Sequence, residues 1–443
     1  MKEKFTAVAI MIVALTISFS AHSQSAYKFD FGTGKVKQDY KQVTAVTQYN
    51  EQRGFGFDYN TKVVARNREE ESSMLKSDFC TSIGSMFFSV KVPEGTYEVT
   101  VTLGDARRAS KTTIKAESRR LMEKEVVTKP GEFKKVSFMV SIWDSVINEN
   151  KVVILKSRER DKLDWDNKLT LEFSNARPCV DAITIKKVNN ATTIYLMGNS
   201  TVTDQSLEPW FCWGQMIPSF FKSGKIAISN HAASGSTLRA SIGRKRLAKV
   251  SSMLKPGDYL FVEFAHNDQK PGSGEKAYTT YNKYLRIYVD SARAHDAIPV
   301  FVTSTNRRRF NENGEFYGTL GDFPDAMRYE AKKDNVTLID LNAMTKTLYV
   351  ALGSEKSRDL FVQFPAGTFP GQKEELADNT HFCDFGAYEI AKCVVEGIKK
   401  KLPDVARYLK SDLAPFDPAH PDDIKDWYLP LTPMFTSIKP YGN

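Results

Sequence analysis

Thr193-Ile194-Tyr195-Leu196-Met197, followed directly by Gly198-Asn199-Ser200-Thr201, decides how the C-terminal half of this chain is read. An almost wholly apolar or β-branched run of this length fits a strand buried on both faces, and the turn after it sets a hydroxyl at the strand's carboxyl end. The same kind of run returns at Lys225–Ser229, Tyr259–Phe264, Pro299–Thr303 and Val336–Leu341. Between the runs lie amphipathic segments over Pro209–Phe221, Leu247–Leu254, Tyr281–Ala294 and Ala326–Lys333. Five such strands alternating with helices predict an α/β/α three-layer domain around a five-stranded parallel sheet, over residues 190–402. Phe385–Leu402 reads as its last helix, with Asp384 placed to cap it.

Upstream of Asn189 the pattern is different. Phe87–Pro93, Gly95–Gly104, Lys134–Val140, Leu169–Phe173 and Val180–Ile185 are short period-two runs broken by Gly, Pro, Asn and Asp. They predict an all-β sandwich over residues 24–189. Downstream, Pro403, Pro415, Pro418, Pro421, Pro430, Pro433 and Pro440 punctuate residues 403–443, which reads as an extended strap over the body and not a third domain.

The 443 residues carry 62 Lys plus Arg against 53 Asp plus Glu, a net charge of +9, and the cations are interspersed with acids. That balance does not indicate a nucleic-acid partner, and it suits a solvated surface or a polyanionic substrate. Lys2 and Lys4 precede an apolar run from Ala7 to Phe19 and the small-residue pattern Ala21-His22-Ser23. This predicts a signal peptide over residues 1–23, cut near Ser23, and a periplasmic or secreted protein. The run is shorter than a spanning helix needs, so no membrane span is expected. Cys80, Cys179, Cys212, Cys383 and Cys393 form no metal-binding spacing. Cys383 and Cys393 would lie about 15 Å apart along one helix, too far to pair.

Ligands of parallel α/β domains bind beyond the carboxyl ends of the strands. Ser200 follows the first strand, Gly235 the second in Ala233-Ser234-Gly235-Ser236, and Asn267 the third in Ala265-His266-Asn267-Asp268. An unobstructed glycine N–H and an uncharged amide both suit an oxyanion hole. Asp378-Asn379-Thr380-His381 stands before the last helix, and an Asp three residues ahead of a His can hold one imidazole nitrogen while the other faces a nucleophile. The Ser200 turn is not a GxSxG elbow, because Val202 occupies the second glycine position. Each piece alone has a bland reading as a turn, a cap or a surface loop.

Together, Gly198–Asp204, Trp213–Met216, His266–Asp268 and Asp378–His381 resemble the SGNH (GDSL-type) hydrolase superfamily, and within it the rhamnogalacturonan acetylesterase family. The N-terminal part is similar to the galactose-binding-like sandwich that precedes such esterases. The resemblance implies Ser200 as nucleophile, His381 as general base and acid, and Asp378 as its orienter. It also implies an oxyanion hole of the Ser200 and Gly235 N–H groups with the Asn267 amide, and a serine esterase that deacetylates pectic polysaccharide. No HExxH, EF-hand loop, GxGxxG or P-loop is present in the sequence, so no metal or nucleotide cofactor is expected. Two positions depart from the family, which usually has Asp where Asn199 stands and commonly Gly where Ala265 stands.

Trp210, His266, Arg307 and Arg308 are the candidates for substrate contact, the arginines because a guanidinium fork matches a uronate carboxylate. The Gly- and Pro-bearing stretch from Gly353 to Ala377 reads as a long loop forming one wall of the groove. An acetylated polysaccharide is the expected partner. Another SGNH esterase, on xylan for example, and a carbohydrate-binding protein with a degenerate esterase half stay open. The oligomeric state and the deacetylated hydroxyl are not legible.

Overall fold

The computed structural model describes residues 26–68 and 73–441, so the expected export segment over residues 1–23 lies outside the described residues. Between Tyr27 and Lys187 the chain forms two stacked sheets. One orders its strands Phe133–Ile142, Gly95–Gly104, Cys179–Lys187, Tyr27–Phe31 and Lys41–Val43, and the other Phe55–Asp58, Met86–Lys91, Lys168–Arg177, Ser110–Ala116 and Arg120–Thr128. Their facing sides bury Phe29, Phe31, Phe57 and Phe88 with Val99, Val101, Leu169 and Leu171. The aromatic rings meet edge to face, Phe31 and Phe88 with centroids 4.9 Å apart, the arrangement their quadrupoles favour.

From Thr192 onward five parallel strands take the order Ile226–Asn230, Thr192–Gly198, Tyr259–Glu263, Ile298–Val302 and Thr337–Ile339. Alternate residues of the opening strand serve opposite helix layers. Ile194 and Leu196 join one apolar cluster with Ile390 and Val394 of the last helix, while Tyr195 and Met197 join a second with Leu285 and Val289. Both faces of the sheet are therefore covered, which is why its strands read as continuous apolar runs.

Three local expectations are corrected. Pro209–Phe221 is not one helix: only Trp213–Met216 is α-helical, followed by a 3₁₀ turn over Ile217–Phe220, because Pro218 has no N–H to continue the ladder. Gly353–Ala377 is not one loop. The helix Leu341–Lys356 kinks at Gly353, where φ is +72°, and after a turn the strand Phe361–Phe364 pairs antiparallel with Leu376–Phe382, leaving 365–375 as the connection. The last helix, Asp384–Lys401, has Cys383 at its N-cap, and Asp384 instead accepts a hydrogen bond from the Trp427 indole at 2.9 Å.

The two halves share a polar junction. Arg119 and Arg120, at the start of a sandwich strand, lie 1–2% exposed against the loop after Ser200. Arg120 Nε is 3.3 Å from Asp204 Oδ2. The C-terminal strap is tied to both halves: Lys115 Nζ donates to Pro430 O at 2.7 Å, Thr432 N to Glu208 Oε1 at 2.9 Å, and Trp210 Nε1 to Thr436 O at 3.0 Å. All five cysteines are buried and unpaired. No helix among the described residues is long and apolar enough to cross a membrane.

Candidate active site

The turn after Thr192–Gly198 is shaped by close packing. A side chain on Gly198 would meet Val202 Cγ2 at 2.6 Å and Glu263 O at 3.0 Å, so the chain can bend here only without one. Asn199 Oδ1 then accepts from Thr201 N at 3.1 Å, an Asx turn that fixes Ser200 between them. Ser200 Oγ lies 2.9 Å from His381 Nε2, and His381 Nδ1 lies 2.8 Å from Asp378 Oδ2. Asp378 Oδ1 accepts from Thr380 N at 2.7 Å and His381 N at 3.0 Å.

Electrostatics fixes the proton positions. Burial pushes the Asp378 carboxyl up, but hydrogen bonds from the His381 ring and from the His381 and Thr380 N–H groups outweigh it and hold it near about 2. An ionised Asp378 accepts the Nδ1 proton, so Nε2 keeps its lone pair toward the Ser200 hydroxyl. The arrangement can therefore remove a proton from Ser200 and return it to a leaving group.

Asp378 and His381 stand on the strand Leu376–Phe382 and not on a loop. Gln363 Nε2, on the paired strand, donates to Asp378 O at 3.0 Å and to Asn379 Oδ1 at 2.9 Å. Gly235 has φ +72°, the left-handed region that glycine occupies without strain. Asp268 Oδ1 accepts from Leu238 N at 2.9 Å and pins the helix that follows Gly235. Asn267 Nδ2 donates to Ser236 O at 3.1 Å, and its second amide hydrogen remains for a ligand. Gly235 and Asn267 line the same open depression.

Of the four candidates for substrate contact, Trp210 lines a cleft against the sandwich, and each of the four is held by contacts within the protein. His266 is 1% exposed, with Nε2 2.7 Å from Thr305 O. Arg308 places its fork on Ser357 Oγ, Asn379 Oδ1 and Ser354 O, bracing the Asp378 strand. Arg307 donates to His266 O at 3.2 Å and Thr319 Oγ1 at 3.3 Å. Trp210 is 2% exposed, with its ring edge-on to His381 at 5.8 Å.

Glu263 was not singled out from the sequence. Its buried carboxylate takes Trp213 Nε1 at 2.6 Å and Thr201 Oγ1 at 2.9 Å. Thr201 Oγ1 also lies 2.9 Å from Asn199 Oδ1, yet a hydroxyl has one proton for two acceptors. A protonated Glu263 resolves this by donating to Thr201, which then donates to Asn199. Burial does push Glu263 up to about 7, against the pull of Trp213, Thr201 and the Thr305 N–H. The available signal was a carboxylate closing a parallel strand.

Comparison with known proteins agrees with this geometry. Residues 194–394 match the family described as GDSL-like lipase/acylhydrolase, and residues 27–145 match a β-agarase/YXIM esterase-like, galactose-binding domain-like family. The rhamnogalacturonan acetylesterase RhgT of Bacillus subtilis (strain 168) is 44% identical over 209 residues, which span 47% of this chain and 89% of that protein. This chain belongs to the GDSL-type acylhydrolases. Its esterase half carries the family's ester-hydrolase fold, and its sandwich is galactose-binding-like. The probable rhamnogalacturonan acetylesterase YesY of the same organism is 36% identical over 222 residues, 47% of this acylhydrolase and 94% of YesY. The uncharacterized esterase YxiM of that organism is 24% identical over 418 residues, covering 90% of this chain and 99% of its own, so the likeness extends through both halves. Among the described residues no group of three or more His, Cys, Asp or Glu could hold a metal ion.

Proposed function

We propose that this acylhydrolase is an exported carbohydrate esterase that removes O-acetyl groups from rhamnogalacturonan. The observation that carries the reading is the Ser200–His381–Asp378 relay, at 2.9 and 2.8 Å, in a chain whose esterase half is 44% identical over 209 residues to a rhamnogalacturonan acetylesterase. Ser200 Oγ attacks the acetyl carbonyl carbon as His381 Nε2 takes its proton. Negative charge gathers on the carbonyl oxygen, facing the N–H groups of Ser200 and Gly235 and the Asn267 amide. The C–O bond to the sugar breaks, His381 protonates the departing hydroxyl, and an acetyl-serine remains. Water, deprotonated by the same imidazole, attacks that ester and releases acetate.

The test is acetate release from acetylated rhamnogalacturonan, acetylated xylan and a small aryl acetate, with Ser200→Ala beside the unaltered enzyme. Release from the pectic polymer that disappears in Ser200→Ala supports nucleophile and substrate together. Preference for xylan, or activity on the aryl ester alone, keeps the esterase and overturns the substrate. Inactivity on all three favours a carbohydrate-binding protein. Export is tested separately by the N-terminal residue of the protein recovered outside the cytoplasm, expected just after Ser23.

A further inference from the structure

Three depressions share walls across the junction. The open depression of about 820 Å³ beside Gly235 and Asn267 shares Lys156 and Tyr441 with a cleft of about 380 Å³ between the sandwich and the esterase half. That cleft in turn shares Tyr59, Phe87 and Met434 with a groove of about 520 Å³ on the sandwich. The three lie side by side and together make a trough of adjoining depressions, from the proposed oxyanion hole toward the groove on the N-terminal domain.

Its walls come largely from outside residues 194–394, the part that matches the acylhydrolase family. Lys156, Arg158 and Lys162 belong to the loop that precedes the sandwich strand Lys168–Arg177, Tyr59 and Lys62 to the opposite part of the sandwich, and Tyr441 to the strap. The charge is one-sided. Of the acids along the cleft, Glu159 pairs with Arg246, Glu117 is buried 3.7 Å from Arg120, and Asp161 alone is exposed. Arg158 is exposed, and its guanidinium lies 3.9 Å from the Tyr441 ring centre while Nη1 donates to Lys439 O at 2.8 Å, holding it at the rim. Lys156 stands between cleft and open depression, its ammonium on Ser234 O and Ser236 Oγ, next to Gly235. At the other end Tyr59 is 40% exposed, braced edge-on by Phe87 at 5.5 Å and by Lys168 Nζ 5.2 Å from its ring centre, and its exposed part is an aromatic surface of the kind on which sugar rings pack.

We infer that this trough binds the acidic oligosaccharide on either side of the acetylated sugar, with uronate carboxylates against Lys156 and Arg158 and a sugar ring against Tyr59. This rests on the glycan-esterase reading above and gives the sandwich and strap a part in it: they supply distal subsites for a polyanionic chain. A neutral glycan brings no opposite charge to these cations, so the trough selects charge as well as length. The contacts are partly exposed, so binding weakens with added salt.

The experiment is calorimetric titration of the full chain carrying Ser200→Ala with unacetylated rhamnogalacturonan oligosaccharide, and with a neutral xylo-oligosaccharide of equal length. Adding Arg158→Ala or Tyr59→Ala is expected to weaken binding of the acidic ligand about fivefold each, the scale of one partly exposed contact, and Arg158→Lys to recover part of the loss. Melting curves exclude unfolding as the cause. Equal affinity for the two glycans, or acidic-ligand affinity unmoved by both variants, overturns the inference. Turnover of acetylated rhamnogalacturonan by the unaltered enzyme is scored separately. A protein that binds through the trough but releases no acetate sinks the glycan-esterase reading alone, and one that deacetylates with unmoved variant affinities sinks the trough alone.

Discussion

Arg119 of the sandwich forms a buried ion pair with Glu208 of the esterase half, Nη2 to Oε2 at 2.5 Å, with both side chains at most 2% exposed. The same guanidinium donates to Trp210 O at 3.1 Å and lies 3.8 Å from the Phe211 ring centre. Trp210 in turn meets His381 edge-on. An ion from one half thus fixes the loop that packs against the proposed base in the other. Removing one partner leaves the second charge buried without compensation, which typically costs about 3–5 kcal/mol. Arg119→Met is therefore expected to lower unfolding stability by that order in urea denaturation. It should also lower kcat on an aryl acetate at temperatures where the variant is still folded. Unchanged stability would detach the sandwich from the loop's support.

The relay itself predicts graded losses. Ser200→Ala should remove activity by about 10⁴-fold or more, because no other group can form the acyl intermediate. Asp378→Asn keeps the shape but presents an amide to Nδ1 and favours the wrong tautomer, so a loss of about 10³–10⁴ in kcat is expected. Steady-state hydrolysis of an aryl acetate measures both, and a residual above one tenth in either variant would remove that residue from the relay.

Ser200, Gly235 and Asn267 were legible as candidates because each follows a strand of the parallel sheet, where apolar runs mark the strands and the turn residues stand out, whereas Asp378 and His381 showed only as an Asp three residues ahead of a His. The five sheet strands were legible for the same reason, each predicted within a residue or two of its observed limits. The surroundings of Asp378 were not, because Gly353, Pro365, Gly367 and Pro370 suggested one loop and masked the pairing of Phe361–Phe364 with Leu376–Phe382. Arg308 looked like a ligand for carboxylates because its partners Ser354, Ser357 and Asn379 come from distant segments. Arg119 and Lys156 lie in a stretch whose local pattern reports only a sandwich. Their role depends on which half they face, and that is a tertiary fact.

Asn267 offers a sharper test of the oxyanion hole. The residue is 5% exposed and its amide is anchored through one hydrogen to Ser236 O at 3.1 Å, so its aim is set before substrate arrives. Losing one preorganised donor costs about 10²–10³ in kcat. Asn267→Ala should show that loss with KM little altered, since the donor meets charge that exists only in the transition state. A loss below tenfold would exclude the amide from the hole.

Glu263 makes stability depend on pH. Its carboxyl titrates near about 7 in the folded protein against an ordinary value of 4.5, so the folded state holds a proton that the unfolded chain has released. The stability this confers is complete below about pH 4.5 and declines as pH rises to about 7, where the buried group must ionise, a difference on the order of 3 kcal/mol. Glu263→Gln carries no such titration: its carbonyl can accept from Trp213 and its amide can donate to Thr201. Urea denaturation at pH 5 and pH 8 should therefore show the variant gaining on the parent protein as pH rises. Parallel profiles would mean that Glu263 is ionised throughout and that Thr201 donates to it, leaving Asn199 Oδ1 with the Thr201 N–H alone.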